Sequence, residues 1–134
     1  MRGLRIIAAT ENGKGENRMT DKQFMLCVTE VDNYSDRDAY VSVLALSSMW
    51  GDAEDAAIPQ ERIEFLFQLW DACHRSVKDI AAAAGLSQRK LAEHFYIPYR
   101  TVECWCGSRT SPSARSCPLY TRLMMQECLG LLHR

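Results

Sequence analysis

Apolar residues recur at intervals of three and four along most of the chain, the spacing of helices that bury one face. In "DRDAYVSVLALSSMWG", residues 36–51, Ala39, Val43, Leu46 and Trp50 form one stripe, which Tyr40 and Leu44 widen. Asp36 and Asp38 stand where a helix dipole favours negative charge. In "PQERIEFLFQLWDACH", residues 59–74, Pro59 suits a helix start, and Ile63, Leu66, Phe67 and Trp70 repeat at i, i+3, i+4 and i+7. Phe65 and Leu69 widen that face, so this helix is expected to be buried on more than one side. "SVKDIAAAAG", residues 76–85, opens with Ser76 and Asp79 spaced as a capping box and closes on Gly85, suited to the left-handed residue after a helix. Val77, Ile80, Ala81 and Ala84 give it a narrow apolar face. "LYTRLMMQECLGLL", residues 119–132, follows Pro118 and places Leu123, Met124, Cys128 and Leu132 on its apolar side. The expected fold class is all-α, a compact helical bundle whose C-terminal half contains a helix-turn-helix.

That last expectation rests on "GLSQRKLAEHFYIPYRTVECWCG", residues 85–107. Ser87 can cap a helix starting at Gln88, in which Leu91, Ala92 and Phe95 share a face. A short turn leads to Pro98, a good start for a second helix in which Val102 and Trp105 are apolar. Two helices crossing steeply need a small residue at closest approach, and Ala92 is placed for it. Ile97, Val102 and Trp105 would close the core. The first turn of the second helix, with Tyr99, Arg100 and Thr101, is left facing outward, as a groove-reading and phosphate-binding helix end requires.

With these residues in place, the segment resembles the helix-turn-helix of lambda-repressor-like, or XRE-type, DNA-binding domains. The resemblance runs from about Val77 to Leu132 and is carried by Ser87–Gln88, Leu91–Ala92, Phe95, Ile97, Val102 and Trp105. It implies that Gln88 contacts a phosphate, that Tyr99 and Arg100 read bases with Cys104 one turn later, and that Thr101 lies near the backbone. It also implies a homodimer reading paired half-sites of double-stranded DNA. The chain departs from the family pattern in three places. Tyr96 replaces the turn glycine, Trp105-Cys106-Gly107-Ser108 lacks the usual glutamate, and the Ser-rich loop 108–118 is longer. A left-handed Tyr96 would be strained by about 1 kcal/mol against glycine. A turn drawn differently would pack it beside Phe95. The sequence leaves both geometries open.

Charge divides the chain in a way its net value of −1 conceals. Residues 21–71 carry 3 basic and 11 acidic side chains, whereas residues 72–134 carry 9 basic and 4 acidic. The helix-turn-helix therefore lies in the basic half, where Arg89, Lys90 and Arg109 can add phosphate attraction. Three regions are expected. They are a flexible extension, 1–18; an acidic helical region for packing or dimerisation, 19–75, whose first helix Thr20 caps; and the DNA-binding domain, 76–134. Tyr40, Trp50, Phe65, Phe67 and Trp70 are more apolar surface than two helices hide alone, so it must pack on the C-terminal half or on a second subunit, and the acidic region is read as a dimerisation or partner-binding domain.

The six cysteines do not form a metal-site pattern. Cys104 and Cys106 would point about 200° apart on a helix, so with His94 and Cys117 they are poor zinc ligands. The bland alternative is small apolar thiols, Cys106 near the core and Cys104 outside it. No Cys–His pair has an orienting group or oxyanion donors, so no enzyme activity, cofactor or metal is expected. "MRGLRIIAAT" has too short an apolar run for a secretion signal, and no segment reaches membrane-span length. A cytoplasmic location with reduced thiols is expected. Two functions follow as expectations. The first is a sequence-specific transcription regulator. The second, from a different class, is a protein-interaction module such as an antitoxin or inhibitor that uses its acidic face.

Overall fold

The computed structural model describes residues 19–107 and 116–134. The expected extension 1–18 and Arg109 lie outside the described residues. The described residues are all-helical and hold seven α-helices. These are α1 (Asp21–Glu30), α2 (Arg37–Ala45), α3 (Gln60–His74), α4 (Val77–Ala84), α5 (Gln88–Phe95), α6 (Tyr99–Cys106) and α7 (Leu119–Cys128). Single 3-10 turns follow α1 and α2. Among the described residues no helix is long and apolar enough to cross a membrane. The described residues divide into two compact units, the first running up to Asp71 and including His133–Arg134, the second lying between Ala72 and Leu132.

In the first unit, α1 begins at a complete capping box. The Thr20 hydroxyl accepts from the Gln23 amide at 3.0 Å, and the Gln23 side chain accepts from the Thr20 amide at 2.9 Å. Asp36 caps α2 through the Ala39 amide at 2.8 Å. The core joins Phe24, Cys27, Tyr40, Val41, Leu44, Phe65, Leu66 and Leu69, with Trp70 against the Tyr40 ring at 5.2 Å. The Tyr40 hydroxyl donates to the Cys27 carbonyl at 2.8 Å, so this fully buried phenol is satisfied.

The expected stripe of α2 is corrected here. Ala39 and Val43 are exposed and Leu46 is 72% exposed, whereas Tyr40, Val41, Leu44 and Ala45 are buried. The ring with a hydrogen-bonding hydroxyl outweighs the aliphatic stripe. The helix also stops at Ala45, five residues before Trp50. Its last turn is tightened by the Leu46 amide donating to Val43 at 3.3 Å and the Ser47 amide to Leu44 at 3.1 Å, and side chains add to these bonds. The Trp50 indole donates to the Leu44 carbonyl at 2.8 Å and Arg62 to the Ala45 carbonyl at 3.1 Å, so two later side chains close the helix end. In α3, Phe65 and Leu69 are buried beside Leu66 and Trp70, and Ile63 and Phe67 are half-buried. The face thus turns toward the residues that only widened the expected set.

In the second unit, α4 forms as its sequence signals require. Ser76 and Asp79 make the reciprocal capping box, and Gly85 stands at φ +72°. The Gly85 amide donates to Ala82 at 3.1 Å and the Leu86 amide to Ala81 at 2.9 Å, the paired bonds of a Schellman end. A buried cluster of Val77, Ala81, Leu91, Ala92, Val102 and Cys117 joins α4, α5, α6 and the residues before α7. Leu86, Phe95, Ile97, Trp105, Cys106 and Leu129 pack around it.

Helix α7 also differs from its expected face. Met124 and Cys128 are exposed, and Leu123, Met125, Gln126 and Leu132 are buried. A polar requirement sets the rotation. The Gln126 side chain, 0% exposed, donates to the Ala72 carbonyl at 2.9 Å and accepts from Arg75 at 2.9 Å. One turn earlier, Arg122 donates to the carbonyls of Cys73 at 3.1 Å and Arg75 at 2.8 Å. These two side chains satisfy the carbonyls at the end of α3 and bring positive charge to its negative pole.

Candidate nucleic-acid interface

The interface candidate is built on α5 and α6. Ser87 starts α5 by accepting from the Lys90 amide at 3.1 Å. Leu91 and Ala92 are buried, and Phe95 half-buried, so the opposite side of α5 carries Arg89, Lys90 and Glu93 to solvent. The helix ends in a second Schellman pairing. The Tyr96 amide donates to Glu93 at 3.3 Å and the Ile97 amide to Ala92 at 2.9 Å. Tyr96 takes the left-handed position of that motif, at φ +56° and ψ +37°, and its side chain is 95% exposed. Of the two geometries the sequence left open, the strained one is found, and Tyr96 does not pack beside Phe95. A non-glycine residue here costs about 1 kcal/mol.

Pro98 then starts α6, its carbonyl accepting from Thr101 at 2.9 Å and Val102 at 3.3 Å. No side chain among the described residues caps this helix. Its leading amides lie at the positive pole of the helix dipole. Val102 is fully buried and Trp105 packs on the cluster, which fixes the face that α6 presents.

The expected contact residues fall at the front of these two helices. Gln88 is the half-buried first residue of α5, and Thr101 is half-buried in the first turn of α6. Arg100 is open, its side chain 72% exposed, with Glu103 at 3.8 Å as an i,i+3 partner. Lys90 has a similar partner in Glu93 at 3.7 Å. Such exposed pairs stabilise a helix by only about 0.2–0.5 kcal/mol and yield readily to a stronger anion. Cys104 is half-buried one turn after Arg100.

The structure brings two of the expected residues into direct contact. The Arg89 guanidinium sits over the Tyr99 ring, 4.1 Å from its centroid. Tyr99 also packs on the buried cluster, so it does not point away from the core as its sequence position suggested. Its ring is a floor between the core and a solvent-facing cation. The contact spans two helices, so no local pattern announces it. The ion-pair partners Glu93 and Glu103 were also missed, although their i,i+3 spacing was a usable signal.

Cys117 is buried in the cluster and Cys106 packs against it. Burial pushes the Cys117 thiol up to about 11, with Arg122 opposing the shift, and Cys106 is raised for the same reason. Among the described residues no group of three or more His, Cys, Asp or Glu side chains is gathered to hold a metal ion. His94 instead lies beside Cys128, 4.0 Å from Nε2 to Sγ. Comparison with known proteins adds no relative: no family model, curated protein or solved structure matches the chain.

Proposed function

We propose that this chain is a transcription regulator of the lambda-repressor-like, XRE helix-turn-helix type, binding double-stranded DNA through α5 and α6. One observation carries the reading. The uncapped start of α6 presents an exposed Arg100, and a second arginine, Arg89, is held over a ring of the same turn. A helix N-terminus flanked by arginines attracts phosphate, and an arginine free of strong partners can bind guanine in two-point fashion. In this reading Gln88, Arg89, Lys90 and Thr101 meet phosphates, Arg100 reads the major groove, and Cys104 borders it. Tyr99 acts mainly by supporting Arg89. A homodimer in the cytoplasm, using paired half-sites, completes the proposal.

The test is Arg100→Ala against a duplex selected by the wild-type protein from random DNA. The expected loss is about 1–3 kcal/mol, roughly five- to 150-fold in affinity, with relaxed sequence preference. Equal affinity for the two proteins would remove Arg100 from the interface.

A second reading has its own observation. In the acidic first unit Met25 and Leu26 on α1, and Val43 and Leu46 at α2, are exposed large apolar residues. They suit a protein partner, as for an antitoxin or inhibitor. A salt titration separates the two. Specific duplex binding that survives physiological salt favours the regulator, and binding confined to low salt favours the interaction module.

A further inference from the structure

The second unit ends three helices in the same way, and one of them breaks the rule the others follow. Helices α4 and α7 close on Gly85 and Gly130, at φ +72° and +77°, with the paired amide bonds of a Schellman end. Helix α5 closes with the same bonds on Tyr96. At Gly85 and Gly130 a Cβ would meet nothing within 4 Å, so backbone conformation alone favours glycine there. The same preference acts at Tyr96, and the fold gains little in return, because the side chain is 95% exposed. The other described non-glycine residue at positive φ is Asp55, a residue type that tolerates this region. A strained, outward aromatic residue that folding does not use points to a ligand.

We infer that Tyr96 is a DNA-backbone contact, its phenol donating to a phosphate oxygen beside those held by Arg89 and the start of α6. This rests on the DNA-binding reading and adds a residue to it. Tyr96 precedes Tyr99, the first residue of α6, by three residues, within about 10 Å of chain. It closes α5, whose second residue is Arg89, so it stands about 10 Å along that helix from the arginine and would meet a neighbouring phosphate. Tyrosine hydroxyls commonly serve as phosphate donors, and a neutral donor adds no self-repulsion to a site already rich in arginine. Such a contact positions the protein and carries no base preference.

The experiment uses the full chain with two fluorescent duplexes, one of random sequence and one selected by the wild type. Tyr96→Gly is expected to raise Tm by a few degrees and to weaken binding several-fold on both duplexes alike. Tyr96→Asn, also at home at positive φ, should weaken binding similarly, which shows that loss of the phenol rather than glycine's freedom is responsible. Tyr96→Phe, keeping the ring without the donor, should weaken binding with Tm unchanged. A more stable Tyr96→Gly protein with wild-type affinity overturns the inference and leaves the DNA reading standing. A wild type that enriches no sequence from random DNA and does not bind the random duplex overturns both, and a loss confined to the selected duplex overturns the backbone role.

Discussion

Among the described residues the arginines of the first unit are all engaged, whereas those of the second divide into two kinds. In the first unit each of three has a carboxylate and a ring. Arg37 bonds Asp71 at 2.7 and 2.9 Å and lies over Phe67, and Arg62 bonds Asp52 at 2.7 and 2.8 Å and lies over Trp50. Arg134 reaches Asp21 at 3.5 Å and lies over Phe24. In the second unit Arg122 and Arg75 are similarly committed, to backbone carbonyls and Gln126. Arg89 and Arg100 are not. Among the described residues Arg89 has a ring beneath it, and Arg100 pairs with a glutamate one turn along at 3.8 Å. Composition alone shows an excess of positive charge in residues 72–134. The geometry shows that part of this excess is engaged in holding the fold and part of it faces solvent.

The largest effect expected concerns the scaffold beneath the free arginines. Leu91 is fully buried in the cluster that joins α5 to α6. Leu91→Ala should cost about 2–5 kcal/mol in denaturant unfolding. The exposed Leu46 of the first unit should tolerate the same change within about 0.5 kcal/mol. A reversed order would mean that the apolar stripe read from the sequence, and not the observed face, is the buried one.

A smaller, two-sided effect bears on the arginines themselves. Arg62→Ala should lower Tm by several degrees while duplex affinity stays as in the wild type, since its side chain serves Ala45, Asp52 and Trp50. Arg89→Ala should do the reverse. It should leave Tm nearly unchanged and reduce the salt dependence of duplex binding by about one phosphate contact. If both substitutions altered stability alone, the distinction between committed and available arginines would fail.

The smallest effect is in pH. Burial raises the Cys27 thiol to about 12 and the Cys117 thiol to about 11, above the unfolded value near 9.0. A pKa raised by folding means the native state holds its proton longer than the unfolded chain does. The resulting stability is fully present below pH 9.0 and is lost as pH rises through the folded values. Urea midpoints should therefore be flat with respect to these thiols below that pH and fall above it. Cys27→Ser and Cys117→Ser should each reduce the slope. The two thiols lie one in each unit, so this effect does not distinguish the units as the arginines do.

Much of the helical framework was legible in advance, and the reason is range. Thr20 with Gln23, Ser76 with Asp79, Ser87 with Lys90 and Gly85 after α4 act across three residues or fewer, so spacing in the chain is nearly spacing in space. The members of the small core, Leu91, Ala92, Val102 and Trp105, were legible for the same reason, since two short helices with a fixed turn leave few ways to bury them. The front of α6 was found by its Pro98, and Arg100 stands exposed there.

What the sequence by itself determined was therefore where most helices start, the glycine end of α4, and the inward residues Val77, Ala81, Leu91, Ala92 and Val102 of α4, α5 and α6. Only the tertiary structure decided the rest. Helices α2 and α7 carry apolar residues on more than one side, so their rotation follows from distant partners: Trp70 against Tyr40, and the carbonyls of Ala72 and Cys73 against Gln126 and Arg122. It likewise decided that Tyr99 is a floor for Arg89 and that Tyr96 stands strained in solvent. Buried polar groups must find partners wherever the chain brings them, and that need operates across some fifty residues where caps operate across three.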